Sequence, residues 1–188
     1  INALYRPGTR SWNRSAEFGR FSIEHLSEHH WAYPWPHMTA VEGIIGGGME
    51  YPMMTLIGGN RTDQSLFRVT YHEIAHMWYP MMVQQDEKTY TWMDEGRTSY
   101  NTNEGSNAFF DGSSESRPQG DAGGRRYQGH YRIAGTGTAR PPMRHSDRYP
   151  LGTAARGTAS YSTPAVFFYA MEDLFGEDDF WDAYRAYG

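Results

Sequence analysis

The chain has 188 residues, 38% hydrophobic and 15% aromatic, with a net charge of -5 and no cysteine. That length suits one domain with a real core and is short for two, and the core must lean on Tyr, Trp, Phe and Met. No apolar run approaches the ~20 residues that cross a bilayer, and a mildly acidic chain without a clustered basic stripe argues against nucleic acid as a partner. Without cysteine there is neither a disulfide framework nor a thiolate metal site, so any metal must be held by imidazole and carboxylate. The chain starts at Ile1 with no basic-then-apolar leader after it, which reads as a processed or truncated start.

Residues 1–38 are rich in aromatics and histidine and are broken by Pro34 and Pro36; they read as loop with a short helix around Phe18–His29. Thr39–Ile45 is rich in β-branched residues and runs into Gly46-Gly47-Gly48, and Tyr51–Ile57 ends at Gly58-Gly59-Asn60. Two short strands around a glycine turn are expected there. Asp63–Tyr79 reads as a helix capped by Asp63. Phe67, Tyr71, Ile74 and Trp78 recur on one face, and Pro80 should end it. A second helix is expected from about Trp92.

Gly105–Gly157 holds ten glycines and eight arginines, and its large aliphatics are Ile133, Met143 and Leu151. It reads as a long surface excursion, or alternatively as a wall or lid over a site. Ser162-Thr163-Pro164 opens a helix that stops at Gly176, with a capping hydroxyl before a proline suited to the first turn. Acids Glu177, Asp178 and Asp179 start the last helix, whose one face carries Phe180, Tyr184 and Tyr187.

The chemistry gathers at His72-Glu73-Ile74-Ala75-His76. On a helix, residues four apart differ by only ~40° in direction, so both imidazoles reach one zinc from the same side. Glu73 sits ~100° further round, suited to act on a metal-bound water as general base rather than to ligate. Eighteen residues separate His76 from Glu95, in Trp92-Met93-Asp94-Glu95-Gly96. Glu95 completes a His₂Glu set for one Zn²⁺ and leaves a fourth position open, as catalytic zinc requires. Asp94 is either a partner for a ligating imidazole or an ordinary acid at a helix start. His25, His29, His30 and His37 lack ligand spacing and are not read as a second metal site.

With these residues in place the sequence resembles the aminopeptidase N-like zinc peptidases, the gluzincin family that includes membrane alanine aminopeptidase and leukotriene A hydrolase. The ligand spacing matches. Gly47-Gly48-Met49-Glu50-Tyr51 resembles that family's Gly-Ala/Gly-Met-Glu-Asn exopeptidase motif, with Tyr51 where the family usually has Asn. The resemblance covers about 33–100 and again 160–188. It implies that Gly47, Gly48, Met49 and Glu50 form the substrate-binding segment, with the Glu50 carboxylate on the free α-amino group and the strand edge on the peptide backbone. It also implies an oxyanion donor at Tyr161, in Tyr161-Ser162-Thr163-Pro164-Ala165, with Thr163 in place of the usual Lys. Tyr71, Tyr79 and Tyr100 are assigned to packing.

The expected fold is α+β, a thermolysin-like zincin catalytic domain, mainly helical with a small edge sheet. It forms a single domain over residues 1–188 that is part of a larger protein or a pared-down catalytic core. The expected activity is zinc-dependent removal of the N-terminal residue from peptides with a free amine. Two rivals stay open: an endopeptidase or other amide hydrolase on the same zinc, and a peptide-binding module that keeps zinc without catalysis.

Overall fold

The computed structural model describes residues 1–110, 130–151 and 154–188. Helix α1 (Ser15–His29) buries Phe18, Ser22 and Leu26, four apart, on one face. Helix α2 (Asp63–Ala75) lies against it, and α3 (Arg97–Phe109) packs against both. Phe67 of α2 stacks on Phe109 of α3 at 4.5 Å and meets Phe18 of α1 edge-on at 5.5 Å. Fully burying one such ring stabilises the fold by ~1.5–3 kcal/mol. Trp12, Tyr71, Trp78, Tyr79 and Tyr100 complete a core that is aromatic, as the composition requires. Tyr71, Tyr79 and Tyr100 are thus packing residues.

Helix α4 (Thr163–Phe175) ends at Gly176, whose φ of 86° suits a residue without a side chain, and α5 (Glu177–Ala186) follows at once. Phe180 and Tyr184 are buried on α5, while Tyr187 is exposed. His25 and His29 stack ring on ring at 4.0 Å, and His30 is buried beside Trp181 and Tyr184. These histidines belong to the aromatic core. Among the described residues they form no metal-holding group.

Several boundaries differ from the sequence reading. Thr62, not Asp63, caps α2: its side chain accepts from the Ser65 N–H at 3.2 Å, and Asp63 instead pairs with Arg14 at 2.7 Å. Regular helix ends at Ala75 rather than Tyr79, because the chain tightens into i→i+3 bonds from Met77 to Ile74 and from Trp78 to Ala75. Ser162 makes no capping bond, since it is already helical. Gly105–Phe109 are the last turn of α3 rather than the start of a surface excursion; residues 111–129 and 152–153 of that excursion lie outside the described residues.

The sheet has four strands, β1 (Asn2–Leu4), β2 (Thr39–Gly43), β3 (Gly48–Tyr51) and β4 (Met54–Gly58), in the order β1-β2-β4-β3. β2 runs parallel to β1 and β4, and β3 is antiparallel to β4. The glycine run is therefore not a hairpin turn between two strands. It carries the chain across β4, and the hairpin is the Pro52-Met53 loop between Tyr51 and Met54, with Met53 at φ 60°. Proline presets the first position of such a turn, and Met53 takes the left-handed position that glycine usually marks, which hid the turn in the sequence. β1 lies in a stretch read as loop: three residues carry little pattern, and pairing with β2 makes them a strand. β3 has β4 on one side and no strand on the other among the described residues.

Candidate active site

Helix α2 delivers His72 and Glu73 from its last turn and His76 from its cap position. Glu95 comes from a π-helical turn, Trp92–Gly96, that leads into α3. A second π-helical turn, Thr158–Ser162, carries Tyr161 into α4. The wide π geometry tends to occur at functional sites. Gly96 lets the two turns meet, since a Cβ there would lie 2.3 Å from Cβ of Pro164.

Three donor atoms converge. His72 Nε2 lies 3.0 Å and His76 Nε2 3.4 Å from the same oxygen, Glu95 Oε2. A tetrahedral zinc at ~2.0–2.1 Å from each donor sets neighbouring donors about 3.3 Å apart, so these separations fit its edges. His76 Nε2 is buried without a hydrogen-bond partner, and a metal would satisfy it. The opposite ring nitrogens are held. His76 Nδ1 is 2.7 Å from Asp94 Oδ1 and 3.1 Å from the Tyr79 carbonyl oxygen. Thr98 and Thr102 on α3 place hydroxyls 3.4 Å from His76 Nδ1 and 3.3 Å from His72 Nδ1. Such partners fix ring orientation and leave Nε2 for the metal. A second trio, Glu50, His76 and Asp94, also gathers within 4.8 Å, but Asp94 and His76 Nδ1 are already spent on each other.

The electrostatics follow from burial and pairing. Burial works to raise the Glu95 carboxyl, but the hydrogen bond with His72 and the nearby His76 imidazole outweigh it and hold Glu95 below the usual carboxylate range. Burial opposes charge on His76, yet Asp94 and Glu95 hold it well above its ordinary value. Burial prevails at His72, which is lowered against the pull of Glu95. Burial also lifts Glu73 to about 8, opposed by His76 and helped by Glu50. A buried carboxyl poised near neutral pH suits proton transfer.

These groups line a cleft of about 370 Å³ together with Gly48, Met49 and Glu50 of β3 and Tyr161. Tyr161 donates to Glu95 Oε1 at 2.6 Å, and its ring stacks over His72 with centroids 6.0 Å apart. Gly47 lies just outside: its carbonyl accepts from the Gly58 N–H and from Arg61. Arg61 also donates to the Gly46 and Gly58 carbonyls, pinning the loop that feeds β3. Tyr51 is exposed at the hairpin end and does not line the cleft.

His72, Glu73, His76, Glu95, Gly48, Met49, Glu50 and Tyr161 thus line one cleft, with Gly47 beside it and Tyr51 away from it. The sequence reading missed Arg61, Lys88, Arg156, Thr98 and Thr102. The two threonines had a signal: their spacing of four on α3 mirrors that of His72 and His76 on α2. Lys88 is the single lysine of the chain, but no local pattern tied it to the site.

No family model matches the chain. In sequence it is 30% identical over 115 residues to an aminopeptidase N of Plutella xylostella, a stretch that takes in 53% of this chain and 12% of that protein. In structure it superposes on an M1 zinc metallopeptidase from Deinococcus radiodurans with a TM-score of 0.67 and 20% identity. The same values hold for a glutamate-to-alanine mutant of that protein bound to a Tyr-Ser-Ala substrate. A two-domain M1 zinc metallopeptidase mutant bound to L-tryptophan gives 0.68 and 19%. Each superposition covers 98% of this chain and 38% of the other. In sequence and in fold the chain is similar to the aminopeptidase N-like gluzincin peptidases, and it spans 38% of the length of those structures.

Proposed function

We propose that the chain is the catalytic part of a zinc aminopeptidase, a thermolysin-like zincin domain within a longer protein. The observation that carries this reading is the meeting of His72 Nε2, His76 Nε2 and Glu95 Oε2 at separations that suit a tetrahedral metal, with Glu73 beside them and not among them. A bound zinc supplies Lewis acidity toward the scissile carbonyl and an acidified water. Glu73 then takes the proton at its buried, unpartnered Oε2 and passes it to the leaving amine. Tyr161, whose hydroxyl points into the site, turns its proton from Glu95 toward the carbonyl oxygen as negative charge builds there. Glu50 pairs with the α-ammonium of the substrate, and the open edge of β3 holds its backbone, so one residue is removed per turnover.

Tyr51 does not weaken this reading, because it stands away from the cleft while Glu50 lines it. The test compares a free aminoacyl anilide with its N-acetylated form. Pairing with Glu50 predicts that acetylation lowers kcat/KM by at least about 100-fold, roughly the worth of a charge-assisted bond in a buried site. Equal turnover of the two would instead establish an endopeptidase or general amide hydrolase, and no turnover of either would leave a zinc-retaining binding module.

A further inference from the structure

One side of the cleft is cationic in a chain that is acidic as a whole. Lys88 and Arg156 line the cleft itself, facing a floor of carboxylates. Directly behind them is a second cavity of about 560 Å³, lined by Arg140, Arg144, His145 and Arg148. The two spaces share a wall: the Ser146 N–H donates to the Lys88 carbonyl at 2.7 Å, so Lys88 and Ser146 face the cleft while Thr89 and His145 face the outer cavity.

Three acids lie beside this wall, and Glu87 lines the cleft next to Lys88. Asp147 lies 3.7 Å from His145, and Asp86 accepts from the Thr89 N–H at 3.1 Å. Lys88, Arg144, Arg148 and Arg156 have no carboxylate partner among the described residues. Lys88, Arg140, Arg144, Arg148 and Arg156 therefore outnumber the acids beside them, Asp86, Glu87 and Asp147. Such a cluster repels the ammonium that Glu50 receives and attracts carboxylates from the remainder of the substrate. An extended peptide advances ~3.3 Å per residue, so a chain held at Glu50 carries its downstream residues past the cleft wall that Lys88 and Arg156 line.

We propose that this wall selects peptides with acidic side chains downstream of the cleaved bond, which makes acidic peptides the substrate class; the proposal rests on the aminopeptidase reading. The experiment uses the zinc-loaded 188-residue chain carrying Glu73→Gln, so that peptides bind without being cleaved. Fluorescence anisotropy compares Ala-Ala-Asp-Glu-Asp with Ala-Ala-Asn-Gln-Asn, each with a free amine and a C-terminal dye.

The acidic peptide should bind at least about tenfold more tightly at low salt, equivalent to ~1.4 kcal/mol. The difference should shrink toward twofold in ~1 M salt, where the screening length falls to ~3 Å. Adding Arg144→Gln and Arg148→Gln should remove most of the preference, and Arg148→Glu should shift it toward a lysine-containing peptide. Thermal melts check that each variant is folded. Equal binding of the two peptides, or a preference unchanged by these substitutions, overturns the proposal. Turnover of a simple aminoacyl anilide, which has no downstream residue, is read separately. Its failure removes the aminopeptidase reading without bearing on the measured charge preference.

Discussion

A methyl group on Gly48 would lie 2.2 Å from Oε1 of Glu73 and 2.5 Å from its Cδ. The glycine is therefore required by close approach, with β3 running directly over the Glu73 carboxyl. Because the clash falls on the end of a side chain rather than on backbone, Gly48→Ala should displace Glu73 more than it unfolds the protein. Misplacement by about 1 Å can reduce a rate by ~10²-fold. The expected result is a drop of that order in kcat for an aminoacyl anilide, with zinc content and melting temperature close to those of the parent. Full activity in Gly48→Ala would mean that Glu73 is not held where the reaction needs it. The same close packing explains a residue-scale limit on the sequence reading. The resemblance assigned the motif glycines to substrate binding, but only the fold separates Gly48, which touches Glu73, from Gly47, whose carbonyl anchors the crossing loop to Gly58.

At the scale of elements, β2 is tied to the segment after β1 by Glu42. Its carboxylate accepts from the Arg6 backbone N–H at 2.7 Å and the Thr9 hydroxyl at 2.9 Å, and it pairs with the Arg6 guanidinium. The hydrogen bond from Arg6 is the main reason that Glu42 is held down at about 2. A free glutamate titrates near ~4.3, so the folded state binds this proton less readily than the unfolded chain. The stabilisation is fully present above ~4.3 and is lost as pH falls through about 2. Glu42→Gln should accordingly lower the melting temperature at pH 6, with the gap to the parent narrowing as pH falls from 4.5 toward 2. Melts of the metal-free chain across that range test this, and a gap independent of pH would rule out the ionic role.

The helices were legible because their periodic apolar faces are what the core buries: Phe67, Tyr71, Ile74 and Trp78 are all buried as the spacing required. The sheet was less so. A three-residue strand and a Pro-Met hairpin depend on partners far along the chain, which no local pattern records. The π turns at Glu95 and Tyr161 pack where Gly96 approaches Pro164, again a meeting of distant segments.

For the molecule as a whole, the meeting of His72, His76 and Glu95 was legible because its spacing reflects helix geometry: four residues from His72 to His76, then Glu95 on the turn before the next helix. The cationic wall was not, since it is assembled from the 86–89 segment and the stretch around 140–156, whose arginines are scattered along the sequence. The chain superposes over 98% of its length on 38% of an M1 zinc metallopeptidase structure, so its fold is similar to that part of the larger protein. The most direct test joins metal content to turnover in the parent and in Glu73→Gln. One zinc per chain is expected in both, together with hydrolysis of an aminoacyl anilide by the parent and a loss of ~10²–10⁴-fold in the variant. Undiminished hydrolysis by Glu73→Gln, or a parent chain that retains no zinc, would contradict the assignment of His72, His76 and Glu95 as ligands around a Glu73 base.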